Sequence, residues 1–212
     1  KIYNVYKAPG LAQRLANRLG PNYMVGDWTL TYGPFFQAIK MEKTNSLLKS
    51  LKNEAKIYQY LSTISGIPRL KWYGKFGDYT YLVMDLLGLS LKEYTQKYTI
   101  VPLELLLNIG IQMLTIIKAV HNKDLLHRDI KPDNFATGFD DSKKIYCIDF
   151  GLSKKYINRS GDHVPFSDKR RFCGTCRFAS IASHKNWEQS RKDDLESVAY
   201  MLIYMYKGKL PW

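Results

Sequence analysis

The sequence predicts an α+β chain in two lobes, a small β-rich one followed by a mainly helical one. Three observations predict it. Up to residue 87 the apolar segments are mostly short and bounded by turn residues, with one helical pattern among them. The pattern breaks at Leu87-Gly88. Beyond that point the apolar segments reach helical length.

Taken in order, residues 34–42 read as a strand. Residues 46–61 carry Leu47, Leu48, Leu51, Ala55, Tyr58 and Leu61 at helical spacing, and Ser65-Gly66-Ile67-Pro68 ends that helix. Residues 69–76 and 79–86 read as a hairpin around a Gly77-Asp78 turn. Gly88 is the expected hinge, followed by a short helix at 90–97. Pro102 sits where a helix begins, and 103–121 has the profile of a buried helix. A strand at 144–148 and a helix at 194–206 follow. This divides the chain into a leader (1–22), a first lobe (23–87) and a second lobe (88–212). In the leader, Leu11, Leu15 and Leu19 behind Pro9-Gly10 predict a short amphipathic helix lying on the main domain, with a basic membrane-surface anchor as the weaker alternative.

Composition narrows the class. With 45% apolar residues among 212, the chain is too hydrophobic for disorder. It has no uninterrupted apolar run of about eighteen residues, so no membrane span is expected, and its start does not read as a secretory signal. Three cysteines (Cys147, Cys173, Cys176) argue against a disulfide framework and for an intracellular setting, cytoplasmic or nuclear. The net charge of +13 favours anionic partners, although a solvated basic surface would also explain it. No nucleic-acid motif accompanies the charge, so a nucleic-acid-binding module has no further support.

The chemistry lies in His127-Arg128-Asp129-Ile130-Lys131-Pro132-Asp133-Asn134 followed by Asp149-Phe150-Gly151. These match the catalytic and metal-binding loops of protein kinases, and their order makes chance coincidence implausible. Phosphoryl transfer needs positioning and charge neutralisation, which explains the residue types. Asp129 can orient a substrate hydroxyl, and Lys131 can neutralise the γ-phosphate. Asn134 and Asp149 offer the oxygen ligands that Mg²⁺ prefers. Upstream, Gln37-Ala38-Ile39-Lys40 resembles the kinase strand that holds the α- and β-phosphates of ATP. Glu54, on the following helix, is the expected partner of Lys40 in preference to Glu42. Alone, each of these would read as a surface charge or a strand-edge lysine.

The chain resembles the casein kinase I family of serine/threonine kinases, with the tau-tubulin and vaccinia-related kinases as near relatives. The resemblance rests on residues 127–138 (HRDIKPDNFATG), 148–156 (IDFGLSKKY), 174–180 (GTCRFAS), 188–197 (EQSRKDDLES) and Leu210-Pro211-Trp212, and covers roughly 34–212. It implies a two-lobed kinase fold with ATP in the cleft and protein substrates. Met84 would lie behind the adenine, whose edge the backbones of Asp85 and Leu87 would bind. Ala38 would roof the base, with Ala136 as its floor and Ile148 beneath the phosphates. Asp194 would anchor the catalytic loop. Arg177, with Lys154 and Arg171, would form an anion site favouring acidic or already phosphorylated substrates.

Two features depart from the family. No G-x-G-x-x-G loop precedes Lys40, and the stretch from Tyr23 is about a dozen residues short of the family pattern. Either a mobile glycine loop is missing from the chain as written, or it is truly absent and nucleotide binding is impaired. The second case would make the protein a non-catalytic, kinase-like scaffold. The chain also stops at Trp212, where the family continues, so an incomplete second lobe is expected. Cys173-Gly174-Thr175-Cys176 has metal or redox spacing, but no second cysteine pair follows, and the four histidines have no metal spacing.

Overall fold

The structure, a computed structural model, describes residues 2–3, 37–43, 50–97 and 101–212. The expected leader helix, residues 34–36 and the shortened stretch before Lys40 lie outside these, apart from 37–39. Strands β1 (Ile2–Tyr3), β2 (Gln37–Lys43), β3 (Leu70–Phe76) and β4 (Tyr79–Asp85) form an antiparallel sheet in the order β1-β2-β4-β3. β4 has partners on both sides, so Leu82, Val83 and Met84 run buried in succession rather than alternating with polar residues.

Helix α1 (Ser50–Tyr60) lies against β3 and β4. Its buried face is formed by Leu51, Ala55 and Tyr58, spaced four and three residues apart. Glu54 shares that face and is 1% exposed, an unusual place for a carboxylate.

A mainly helical region follows. Its elements are β5 (Leu87–Ser90), α2 (Leu91–Lys97), α3 (Leu103–His121), β6 (Leu125–Leu126), a 3-10 turn (Pro132–Asn134), β7 (Phe135–Gly138), β8 (Ile145–Cys147), β9 (Lys154–Lys155), α4 (Ile181–His184) and α5 (Arg191–Lys207). Three of the strands form a small sheet in the order β5-β7-β8, and β6 pairs with β9. Gly88, expected as a hinge, lies within β5.

Helix α3 is the centre of the core. Pro102 precedes it, and Met113, Ile117 and Val120 are fully buried on the side that meets α5 and β8. Each such side chain contributes about 1.5–3 kcal/mol through burial. Among the described residues, α3 alone is long and apolar enough to cross a membrane, and its buried face packs into the core. Glu104, Asn108, Gln112 and Lys118 interrupt its apolar residues and hide it from a search for unbroken runs. Length and composition are weak grounds for a span when a helix also forms the core.

Helix α5 begins three residues before the expected start. The charged run Arg191-Lys192-Asp193 reads as loop, yet Asp193 accepts the Ser190 N–H at 2.7 Å and fixes the first turn. Gly208 ends the helix at φ +72°.

Candidate functional site

β2 presents Lys40 toward the buried face of α1. Its Nζ lies 2.7 Å from Glu54 Oε2 and 2.8 Å from Asp149 Oδ1. Glu42 instead accepts the Leu51 N–H at 3.2 Å, near the start of α1. The lysine therefore bridges the sheet, the helix and the loop at Asp149. Burial works to lower the Lys40 pKa, but the two carboxylates outweigh it and hold the group above its ordinary value. Burial raises Glu54 despite Lys40. Asp149 is also desolvated, yet Lys40 and the Gly151 N–H pull it below the usual carboxylate value.

A second cluster surrounds Asp129, which is 7% exposed. Lys131 Nζ lies 2.7 Å from Asp129 Oδ2, and Thr175 Oγ1 donates to Oδ1 at 2.7 Å. Lys131 also reaches Thr175 at 3.1 Å. Asn134, on the 3-10 turn, donates from Nδ2 to the Asp129 carbonyl at 2.8 Å and to its carboxylate at 3.1 Å. The Ile148 N–H donates to the Asn134 carbonyl at 2.9 Å, which ties the residue beside Asp149 to this turn. One hydrogen-bonded frame thus carries Asp129, Asn134 and Asp149.

The frame is held from below by Asp194, which is 2% exposed on α5. Its carboxylate accepts the N–H groups of His127 and Arg128 at 2.9 and 2.8 Å and meets His121 Nε2 at 2.8 Å. Arg128 can therefore hold φ +67° against its side-chain preference. Asp149 has a similar φ of +66°, with its N–H donated to Tyr58 Oη at 3.0 Å. Phe150 fills the space between Tyr58 and His127, with ring centroids 5.3 and 5.0 Å away.

The residues expected around an adenine follow the line from β4 into β7. Met84 is buried and pairs across the sheet with Ala38. The Asp85 amide donates to Arg69 O, while its carboxylate meets Lys71 at 2.8 Å. Leu87 pairs with Gly138, and Ala136 and Ile148 are buried. A cavity of about 640 Å³ opens beside Asp85 and Leu87, lined also by Arg69, Lys144 and Tyr146. Lys40, Asp129 and Asp149 do not line it, so it is separate from the charged cleft.

The three expected anion-site residues have different surroundings. Arg177 lies over the Tyr204 ring, 5.6 Å from its centroid. Lys154 is paired with Glu188 at 2.6 Å, and Arg171 is exposed.

The donor set suits a hard cation with a polyphosphate. Asn134 uses its amide nitrogen on Asp129, which leaves its amide oxygen as the atom a cation would use. Among the described residues, no three His, Cys, Asp or Glu side chains converge as a ready-made metal cage. Magnesium at phosphate sites takes only one or two protein oxygens, so Asn134 and Asp149 fit it. The three cysteines are free thiols.

The protein kinase domain family matches residues 36–212. The chain belongs to the protein kinase family.

Within this kinase domain, three residues escape a sequence reading. Thr175 contacts both Asp129 and Lys131, and its position in the GTCRFAS stretch was the available signal. Tyr58, which reads as core, uses its hydroxyl on the Asp149 backbone. Glu188 reads as one charge in a charged stretch, and only folding brings Lys154 and Arg170 to it.

Proposed function

We propose that the chain is a serine/threonine protein kinase of the casein kinase I group, transferring the γ-phosphoryl group of ATP to protein hydroxyls. The observation that carries this reading is the linked set Lys40–Asp149, Ile148–Asn134 and Asn134–Asp129, which joins a phosphate-binding cation to a buried carboxylate through direct contacts. In this reading residues 23–87 form the smaller lobe and 88–212 the larger one.

Lys40, held by Glu54, grips the α- and β-phosphates. Asp129 accepts the hydrogen bond of the incoming hydroxyl and sets it in line with the γ-phosphorus. Thr175 and Lys131 hold the Asp129 carboxylate from two sides, and Lys131 adds positive charge near the transferred group. Asn134 and Asp149 would hold magnesium, which would supply further positive charge to the phosphate oxygens. Met84, Asp85, Leu87, Ala38 and Ala136 surround the base, and Ile148 lies beneath the phosphates.

Lys131 supports serine and threonine as targets. The casein kinase I group is supported by the stretches quoted above and by Ser180-Ile181, which stands where most protein kinases end this segment in Ala-Pro-Glu. Arg177, Arg171 and the net charge of +13 support acidic or phosphorylated substrates, with Lys154 already engaged by Glu188.

The test is transfer of labelled phosphate from Mg-ATP to an acidic protein. Asp129→Asn is expected to lower transfer by about 10²–10⁴-fold while nucleotide still raises the melting temperature. Undiminished transfer by Asp129→Asn would refute its role. Absence of both transfer and nucleotide binding in the unaltered chain would favour the scaffold reading.

A further inference from the structure

The segment that receives substrate in a kinase is commonly ordered by phosphorylation, which brings a phosphate to converging basic side chains. Here Lys154 and Arg170, at either end of the loop after Asp149, converge on a carboxylate from outside that loop. Lys154 Nζ lies 2.6 Å from Glu188 Oε1, and Arg170 Nε is ion-paired with Oε2. The Glu188 side chain is only 6% exposed, whereas both cations remain partly open to solvent. Burying a carboxylate this far is costly unless cations pair with it.

Backbone bonds complete the junction. The Glu188 N–H donates to Ser167 O at 2.7 Å, and the Arg170 N–H donates to Asn186 O at 2.8 Å. Three residues on, Cys173 O accepts from Ser183 Oγ at 2.6 Å and from Gln189 Nε2 at 3.3 Å. Gly174 then passes at φ +113°, where an added Cβ would lie 2.8 Å from Arg128 O, and delivers Thr175 to Asp129. These bonds tie residues 167–173 to residues 183–189 immediately before Thr175 meets Asp129.

We propose that Glu188 is the resident anion of this segment. It is a positioning residue that fastens residues 167–175 through Lys154 and Arg170 and so places Thr175 without a phosphate on the segment. The proposal rests on the kinase reading for its effect on rate, but the fastening itself is independent of catalysis.

The experiment compares the unaltered chain with Glu188→Ala and Glu188→Gln. Glu188→Ala is expected to lower kcat by about 10–100-fold through misplacement, with the KM for ATP changed less than about twofold. Acetate or inorganic phosphate at millimolar concentration should restore part of that kcat by entering between Lys154 and Arg170. Glu188→Gln should lose kcat without rescue, because its side chain still fills the site. Amide hydrogen exchange should rise within 167–176 in both variants and stay unchanged in α3 and α5. Phosphatase treatment should leave the activity of the unaltered chain intact.

Unchanged kcat and exchange in Glu188→Ala would overturn the proposal. So would loss without anion rescue accompanied by faster exchange throughout the domain, or loss of activity after phosphatase treatment. If the unaltered chain transfers no phosphate, the kinase reading fails, while the exchange measurement still decides whether Glu188 fastens the segment.

Discussion

Lys40 sits between two carboxylates whose protonation the fold moves in opposite directions. Burial raises Glu54 above 4.5, so as pH falls Glu54 takes up a proton in the folded chain before it would in the unfolded one. Its charged burial therefore opposes folding at neutral pH, and that opposition is relieved as pH falls through the raised value toward 4.5. Asp149 behaves oppositely. Its contribution to stability is present above 3.8 and is lost as pH falls through the lowered folded value. Lys40, raised above 10.5, contributes fully below that value and loses its contribution as pH rises through the higher folded one. Activity is predicted to fall on the acid side at a pH above 4.5, as Glu54 protonates and releases Lys40. Glu54→Gln should be weakly active and lack this limb. A pH profile of kcat/KM checks it, and an unchanged limb in Glu54→Gln would assign the titration elsewhere. At this scale the sequence was informative wherever a residue type is demanded by chemistry, as for Lys40, Asp129 and Asp149. It pointed to Thr175 only through the GTCRFAS stretch, because a hydroxyl near a carboxylate leaves no spacing signature. It was silent on Glu188, whose partners lie 34 residues away at Lys154 and 18 at Arg170, a separation that no local pattern encodes.

Among the elements, α5 does most to shape the loop around Asp129, through Asp194. Its carboxylate is buried and receives two backbone N–H groups and an imidazole. Asp194→Ala leaves those buried donors without an acceptor and removes the carboxylate that meets His121. A loss of about 3–5 kcal/mol is predicted, read as a fall in melting temperature on the order of 10 °C. A change within about 2 °C would show that water or another acceptor takes its place. The helices α1 and α3 and the β3–β4 hairpin were legible from periodicity and the Gly77-Asp78 turn. The start of α5 was not, because its first turn consists of charged residues and is fixed by Ser190 and Asp193 rather than by an apolar face. The short pairings of β5, β6, β7 and β9 were also missed. Two to four residues give alternation nothing to repeat, and tertiary partners define these strands.

Over the whole molecule, the apolar surface is uneven. Leu103, Leu107, Ile111 and Leu114 follow helical spacing on α3 and remain 54, 58, 66 and 43% exposed. Ile203 and Tyr206 of α5 are 47 and 52% exposed. Exposed apolar area of this kind promotes association. This chain is predicted to self-associate with rising concentration, and Leu107→Lys with Ile111→Glu should suppress it while leaving nucleotide binding unchanged. Light scattering across a concentration series measures this, and equal scattering by both proteins would place the association elsewhere.

The proposed function requires a nucleotide bound at Lys40 with its metal at Asp149. Calorimetric titration with ATP, with and without magnesium, tests it without requiring a known substrate. The account predicts that magnesium tightens ATP binding to the unaltered chain and that Asp149→Asn loses most of this gain while keeping its melting temperature. Equal magnesium dependence in both proteins, or no ATP binding by either, would contradict it.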